Sequence, residues 1–174
     1  MDASTLLSLL LACAPDVHPD TAFALVKVES AFNPWAIGVV GKALRRQPRN
    51  RVEALATAQE LQSAGRNFSV GLAQINLHNF ARLGLTLSSA FDPCNNLGAM
   101  QAVLTECFDR ASTGLKASPA PQLALRRSLS CYYSGNFSTG FRHGYVSKVV
   151  AATALPAFRP APTLSPSRSV PPTP

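Results

Sequence analysis

One glutamate differs from the other acidic residues by the apolar character of the sequence around it. Glu29 follows an apolar run, residues 22–28, and at helical spacing it shares one face with Leu25 and Val26. Because burial disfavours the charged form of a carboxyl group, such a glutamate should keep its proton to higher pH than a surface glutamate. The sequence therefore predicts a general acid at Glu29. The alternative, a glutamate paired with an arginine from another element, fits this helix equally well.

The sequence after this helix favours the first interpretation. Residues 30–34 end the helix abruptly, so Glu29 lies in its last turn, where a side chain can face a cleft. Amides could hydrogen-bond a sugar, and tyrosines offer a flat apolar face to a pyranose ring and a hydroxyl to its polar groups. The candidate sugar-binding residues of these two types are Gln74, Asn76, Tyr132 and Tyr133.

The four cysteines favour disulfides over a metal site. They form neither a CxxC motif nor a Cys/His cluster with zinc spacing, so we expect no metal and no cofactor. Cys94 and Cys107 fall on one predicted helix, about 20 Å apart, and cannot pair with each other. Two connectivities remain, Cys13–Cys94 with Cys107–Cys131, or Cys13–Cys107 with Cys94–Cys131, and both imply an oxidising compartment. Four buried thiols are the alternative.

Hydrophobic spacing predicts a mainly helical α+β domain over residues 1–155. Residues 37–44, between the second and third predicted helices, and residues 67–76, after the third, predict a small β-hairpin or sheet. Asp20 and Asp92 are predicted N-caps, the latter followed by proline at N1. Beside an amphipathic N-terminal helix, we expect helices at about 20–32, 52–64, 93–112, 120–132 and 145–154. Gly65 is expected to end the third helix, Ser118-Pro119 to open the fifth and Gly144 to precede the last.

Length and composition limit the possible classes of protein. The chain has 174 residues, 47% hydrophobic and 14% charged, which excludes a wholly disordered protein. The longest uncharged apolar run, residues 5–15, is too short to span a bilayer, so no stable membrane insertion is expected. Residues 156–174 hold seven of the 14 prolines and no acidic residue, which predicts a disordered tail. Asp2 stands where an export signal needs a cation, so no export signal is evident.

The net charge of +7 predicts a partner that is anionic. Residues 42–51 contain Lys42 and four arginines, with no acidic residue and no aromatic one. A nucleic-acid site usually adds stacking groups, so we expect no nucleic-acid partner. A solvated basic loop is favoured here over an anion-binding patch.

The order and spacing of the candidate residues resemble the lysozyme-like lytic transglycosylases over residues 10–150. The Glu-Ser motif of that family matches Glu29-Ser30, and its Gly-Leu-x-Gln motif matches residues 71–74. The third motif, Ala-Tyr-Asn-x-Gly, is Cys-Tyr-Tyr-Ser-Gly here, so Tyr132 keeps its place and Tyr133 replaces asparagine. Residues 37–41, 67–71, 91–94 and 132–137 resemble more closely the VirB1-type branch that accompanies type IV secretion systems.

This resemblance implies a lysozyme-like fold and cleavage of the bond between N-acetylmuramic acid and N-acetylglucosamine in peptidoglycan. Glu29 would be the single catalytic acid and base, with a 1,6-anhydro product, and Ser30 would join the substrate-binding residues. The resemblance also implies the pairing Cys13–Cys94 with Cys107–Cys131. The expected partners are glycan strands and type IV secretion components, in the bacterial periplasm.

Two other functions are alternatives. The first is a non-catalytic peptidoglycan-binding assembly protein of the same fold, which would have no need of a carboxyl group on an apolar helix face. The second is a hydrolase built on Cys131 with His143, or on a serine with a histidine. None of these residues lies in a known nucleophile motif, and a disulfide would consume the thiol.

Overall fold

The computed structural model describes residues 1–113 and 120–153, and they form a mainly helical fold with one small sheet. This architecture confirms the predicted α+β class. A 3₁₀ turn at Leu77–Asn79 precedes the short helix α4. The helices are α1 (Ala3–Cys13), α2 (Pro19–Ser30), α3 (Arg51–Ser63), α4 (Phe80–Leu83), α5 (Leu87–Ala90), α6 (Pro93–Ser112), α7 (Ala120–Ser134), α8 (Thr139–Arg142) and α9 (Tyr145–Ala152).

The sheet lies where the sequence analysis expected it. Strands β1 (Ile37–Val39), β2 (Phe68–Val70) and β3 (Ile75–Asn76) are antiparallel, in that order. Ile37 pairs with Val70, and Val70 pairs with Ile75 across the next strand pair. These three apolar side chains are buried and anchor the sheet to the helical core. The loop after β1 and helix α3 separate β1 from β2.

Helix α6 is the centre of the domain and packs against both α1 and α7. Its apolar face, which includes Leu97, Met100 and Leu104, is buried in the core. Two disulfides hold its neighbours in place, Cys13–Cys94 between α1 and α6 and Cys107–Cys131 between α6 and α7. The structure thus has the pairing that the resemblance implied.

Most of the predicted helix boundaries are close to those observed, and one capping prediction is wrong. Asp92 caps α6 by accepting a hydrogen bond from the Asn95 amide, with Pro93 at N1 as expected. Asp20, however, does not cap α2. Proline suits the first helical position, so α2 begins at Pro19 and His18 is its N-cap, accepting from the Asp20 amide.

Glycines delimit two further helices as expected. The third helix ends at Ser63, two residues before Gly65, whose φ of +62° a residue with a side chain rarely adopts. Gly144, with a φ of +73°, is the N-cap of α9. The predicted start of the fifth helix at residues 118–119 and the predicted tail at 156–174 lie outside the described residues.

The sequence analysis did not predict the short helices α4, α5 and α8. Each has only four residues, too few to establish a hydrophobic period. None of the helices in residues 1–113 and 120–153 combines the length and hydropathy needed to cross a bilayer.

Candidate active site

Glu29 lies in the last turn of α2, at the point where the backbone turns sharply away. Ala31 and Phe32 both adopt the left-handed region, with φ of 50° and 67°, which is uncommon for residues other than glycine. The Phe32 ring packs on Phe23, with 5.0 Å between ring centroids. Leu25 on the same face of α2 is fully buried. The core therefore fixes the helix that carries Glu29, and the helix ends one residue beyond it.

The carboxyl group of Glu29 faces a cavity of about 630 Å³ between the sheet and helix α7. A cavity of this size suits a small molecule or a segment of a polysaccharide. Of the described residues that line it, Glu29 alone carries a carboxyl group. Five of the predicted site residues meet there: Glu29, Gln74, Asn76, Tyr132 and Tyr133.

Burial raises the pKa of Glu29 from its ordinary value of 4.5 to about 7. One interaction opposes this shift. The Tyr145 hydroxyl donates a short hydrogen bond to Glu29 Oε1, which stabilises the carboxylate and lowers its pKa. Because desolvation is the larger of the two effects, a large fraction of Glu29 is protonated at neutral pH, as a general acid requires.

Tyr145 is a site residue that the sequence analysis missed. It is the first residue of α9 and is almost fully buried, and α9 packs on α2. Burial and the neighbouring Glu29 charge raise the pKa of Tyr145, so its hydroxyl stays protonated and can only donate to the carboxylate. The one signal in the sequence is an aromatic hydroxyl at the start of a helix whose buried residues are otherwise apolar, Val146 and Val149.

Gln74 presents only its carbonyl oxygen to the cavity. Its Nε2 donates to the backbone oxygens of Ala36, at 3.1 Å, and Gly71, at 2.9 Å, so both amide hydrogens have partners. A Cβ on Gly38 would lie 2.6 Å from Gln74 Oε1, so a side chain there would displace the Gln74 amide. Gln74 could therefore accept a hydrogen bond from a ligand hydroxyl.

The two adjacent tyrosines play different parts. The Tyr132 hydroxyl donates to the Ala73 backbone oxygen at 2.6 Å, and burial raises its pKa well above the ordinary value. Tyr133 is 45% exposed, stacks on Tyr145 with ring centroids 4.6 Å apart, and its hydroxyl lies 3.2 Å from His143 Nδ1. Tyr132 therefore positions the turn that holds Gln74, whereas Tyr133 offers an exposed aromatic ring to a ligand.

Asn76 lines the cavity, but most of its hydrogen-bonding capacity is used within the protein. Its Nδ2 lies 2.8 Å from Asn67 Oδ1 and 3.2 Å from Ser69 Oγ. Its Oδ1 accepts from the His78 amide at 3.0 Å. Asn76 thus joins the end of the sheet to the following 3₁₀ turn.

Ser30 is not among the residues that line the cavity, in contrast to the other predicted site residues. Its hydroxyl donates to the Val26 backbone oxygen at 3.2 Å, one turn earlier in α2. This bond within the helix directs the hydroxyl back along α2.

A buried asparagine of α6, which the sequence analysis did not single out, supports the turn at residues 71–74. Asn96 Oδ1 accepts from the Ala73 amide at 2.8 Å, and Asn96 Nδ2 donates to the Val70 and Ala90 backbone oxygens. A Cβ on Gly71 would lie 2.3 Å from Asn96 Nδ2, so the close approach requires glycine. Helix α6 therefore sets the position of Gln74 through the backbone.

The structure argues against the cysteine alternative. Cys131 is bonded to Cys107, so it has no thiol with which to attack a substrate. Within residues 1–113 and 120–153, no group of three or more His, Cys, Asp or Glu side chains could hold a metal ion.

Comparison with known proteins identifies the family. The virB1 type IV secretion system protein of Brucella abortus is 50% identical over 145 residues, which cover 80% of this chain and 60% of that protein. Protein virB1 of Agrobacterium fabrum is 38% identical over 142 residues, 80% of this chain and 56% of that protein. This chain thus spans about three fifths of the length of these relatives, and no solved structure matches it. The transglycosylase SLT domain matches residues 9–149, so the chain belongs to the family defined by that domain.

Proposed function

We propose that the protein is a lytic transglycosylase that cleaves the bond between N-acetylmuramic acid and N-acetylglucosamine in peptidoglycan. The observation that carries this proposal is a single buried glutamate, with its pKa raised to about 7, in a cavity whose described lining holds no second carboxyl group. Glycosidases that act by the usual mechanisms need two carboxyl groups, one on each side of the scissile bond. A lone acid suits a reaction in which the sugar supplies its own nucleophile.

The reaction needs one proton transfer in each direction. Glu29 donates its proton to the glycosidic oxygen as the C1–O bond breaks, and the N-acetyl group of the muramic acid stabilises the positive charge that develops at C1. The resulting Glu29 carboxylate then removes the proton from the muramic acid O6 hydroxyl as O6 attacks C1. The product is a 1,6-anhydro sugar, and Glu29 is protonated again for the next cycle.

The other residues around Glu29 have roles in this scheme that follow from their contacts. The Tyr145 hydroxyl donates to Glu29 and stabilises the carboxylate between the two proton transfers. Gln74 Oε1 accepts from a sugar hydroxyl, since its Nε2 is already bonded to the backbone. Tyr133 contributes an exposed ring against which a sugar can stack. Asn76 and Ser30 support the shape of the site.

The name of one relative supports the biological setting that we propose. The Brucella relative is named as a type IV secretion system protein. We place the present protein in the periplasm, where it opens the cell wall locally for the assembly of a secretion or conjugation apparatus. Two disulfides are consistent with that oxidising compartment.

Product analysis with purified peptidoglycan sacculi tests the proposal. We expect soluble fragments that end in 1,6-anhydro-muramic acid, and no release by Glu29→Gln. Fragments with reducing muramic acid ends would instead identify a hydrolase. Binding of sacculi without release of any fragment would identify the non-catalytic assembly protein.

A further inference from the structure

The cations in and near residues 42–51 fall into two groups that differ in their contacts. The first group makes its contacts within the protein: Arg46 and Arg49 share the Glu53 carboxylate, at 2.7 and 2.8 Å. Arg51, at the start of α3, donates to the backbone oxygen and hydroxyl of Ser88. These three arginines therefore stabilise the loop and its attachment to α3.

The second group consists of Lys42, Arg45 and Arg66, which line a separate surface cavity of about 400 Å³. Within the described part of the chain, none of the three forms an ion pair. No acidic residue is among the described residues that line this cavity. The remaining lining is aliphatic, Val39, Ala43, Leu44 and Leu61. We call this cavity the cationic pocket.

The cationic pocket adjoins the cavity that contains Glu29. Val39 at the end of β1 lines both cavities. Asn67 lines the Glu29 cavity, and its neighbour in the chain, Arg66, lines the cationic pocket. The Val40 amide donates to the Asn67 backbone oxygen at 3.0 Å and holds the two segments together. The two cavities therefore border each other at Val39 and at residues 66–67.

Two acidic side chains line a neighbouring cavity that Arg45 also lines. They are Glu53, which pairs with Arg46 and Arg49, and Glu60. Among the described residues, neither glutamate forms an ion pair with a cation of the cationic pocket, and Lys42 and Arg66 do not line that neighbouring cavity.

We infer that the cationic pocket binds the carboxylates of the peptide stems carried by peptidoglycan. This inference rests on the proposed function and specifies its substrate as peptide-bearing glycan rather than bare glycan. The stem peptides combine alanine methyl groups with free carboxylates, and the cationic pocket combines aliphatic side chains with unpaired cations. Lysine and arginine at an exposed site bind carboxylates individually weakly, so the pocket acts through several contacts.

Binding experiments with catalytically inactive protein test this inference. In the Glu29→Gln background, affinity is measured for three probes: soluble glycan fragments with intact stems, the same fragments after an amidase has removed the stems, and intact fragments whose carboxylates have been amidated. We expect the first probe to bind about fivefold or more tightly than the other two at low salt. Salt should remove most of this preference.

A matched pair of double variants tests whether the preference for intact stems comes from the cationic pocket. Lys42→Ser with Arg45→Ser removes one lysine and one arginine from the cationic pocket, and Arg126→Ser with Lys148→Ser removes the same charges from exposed positions on α7 and α9. We expect the first variant to lose about fivefold in affinity for intact fragments and nothing for fragments without stems. The second variant should bind all probes like its parent. All are exposed residues, and equal melting temperatures would confirm intact folds.

Several outcomes would overturn the inference. Equal affinity of the parent protein for intact and stem-free fragments would do so, as would equal losses by the two double variants. A larger loss on a DNA oligonucleotide than on intact fragments would assign the pocket to nucleic acid instead. The proposed function has a separate test. It fails if the protein with Glu29 intact releases no anhydro fragments, and the binding results of the pocket variants do not affect that outcome.

Discussion

Two glutamates of this protein have opposite environments, although both lie on helices. Glu29 sits at the end of α2 in a cavity with one neutral donor, Tyr145, and burial raises its pKa to about 7. Glu53 sits at the start of α3 on the surface, and hydrogen bonds from Arg46 and Arg49 lower its pKa to about 2. The surroundings of a carboxyl group therefore decide whether it holds a proton at neutral pH.

The largest expected difference between the two glutamates is in catalysis. Glu29→Gln should lower the rate of anhydro product release about 10²–10⁴-fold, because the amide can neither donate nor recover a proton. Glu53→Gln should leave the rate within about twofold of the parent. Release of anhydro ends from sacculi measures both rates. A strong loss in Glu53→Gln with normal folding would remove the distinction between the two sites.

The pH dependence of stability should also separate the two. The pKa of Glu29 is near 4.5 in the unfolded chain and near 7 in the folded protein. Because ionisation of the buried carboxyl group destabilises the fold, the free energy of unfolding should fall as pH rises from about 4.5 to about 7. At pH 8, Glu29→Gln should thus raise the free energy of unfolding by up to about 3 kcal/mol, and at pH 4 by almost nothing. Urea denaturation at the two pH values measures this difference.

Glu53→Gln should change the free energy of unfolding in the opposite direction. The pKa of Glu53 is lowered in the fold, so its ionisation stabilises the protein above about pH 4.5, and this stabilisation is lost as pH falls towards about 2. The same urea series should therefore show a small destabilisation by Glu53→Gln at pH 8. Equal pH dependence in the two variants would contradict the assigned environments.

A smaller effect is expected from the one hydrogen bond that Glu29 accepts. Tyr145→Phe removes a donor to the carboxylate, so the pKa of Glu29 should rise further. The alkaline limb of the pH–rate profile should move to higher pH by about one unit. Tyr133→Phe is the control, because that hydroxyl lies near His143, and its alkaline limb should stay in place. A downward shift in Tyr145→Phe would show that the hydroxyl has a different role.

The smallest expected effect on catalysis comes from the surface cluster. Arg46→Ala with Arg49→Ala removes the donors to Glu53, so the pKa of Glu53 should return towards its ordinary value. Carboxyl carbon NMR titration measures that shift directly. The rate of anhydro product release should change less than twofold, since neither arginine lines the cavity of Glu29.

The comparison also separates what local sequence could predict from what it could not. The apolar run before Glu29 and the cap at Asp92 are local features, so the helix, the buried face and the start of α6 were predictable. The cap of α2 was misassigned, because the preference of Pro19 for the first helical position moved the helix start. The resemblance implied one disulfide pairing, but the spacing of the cysteines left two open.

Long-range contacts account for the features that were missed. Tyr145 is 116 positions from Glu29 in the sequence, yet its hydroxyl donates to the Glu29 carboxyl group. Asn96 of α6 accepts a hydrogen bond from the Ala73 amide, in the turn between β2 and β3. The basic residues 42–51 look alike in sequence, yet Arg46 and Arg49 pair with Glu53 while Lys42 and Arg45 line a pocket.

The sequence by itself determined which faces of the longer helices are apolar, where most of those helices begin and end to within a few residues, and that Glu29 lies on an apolar helix face. These properties depend on side-chain spacing over one or two turns. Only the tertiary structure decided what meets Glu29 across the cavity, and therefore where its pKa lies. The physical reason is that desolvation and hydrogen bonding depend on the atoms within a few ångströms, and those atoms come from distant parts of the chain.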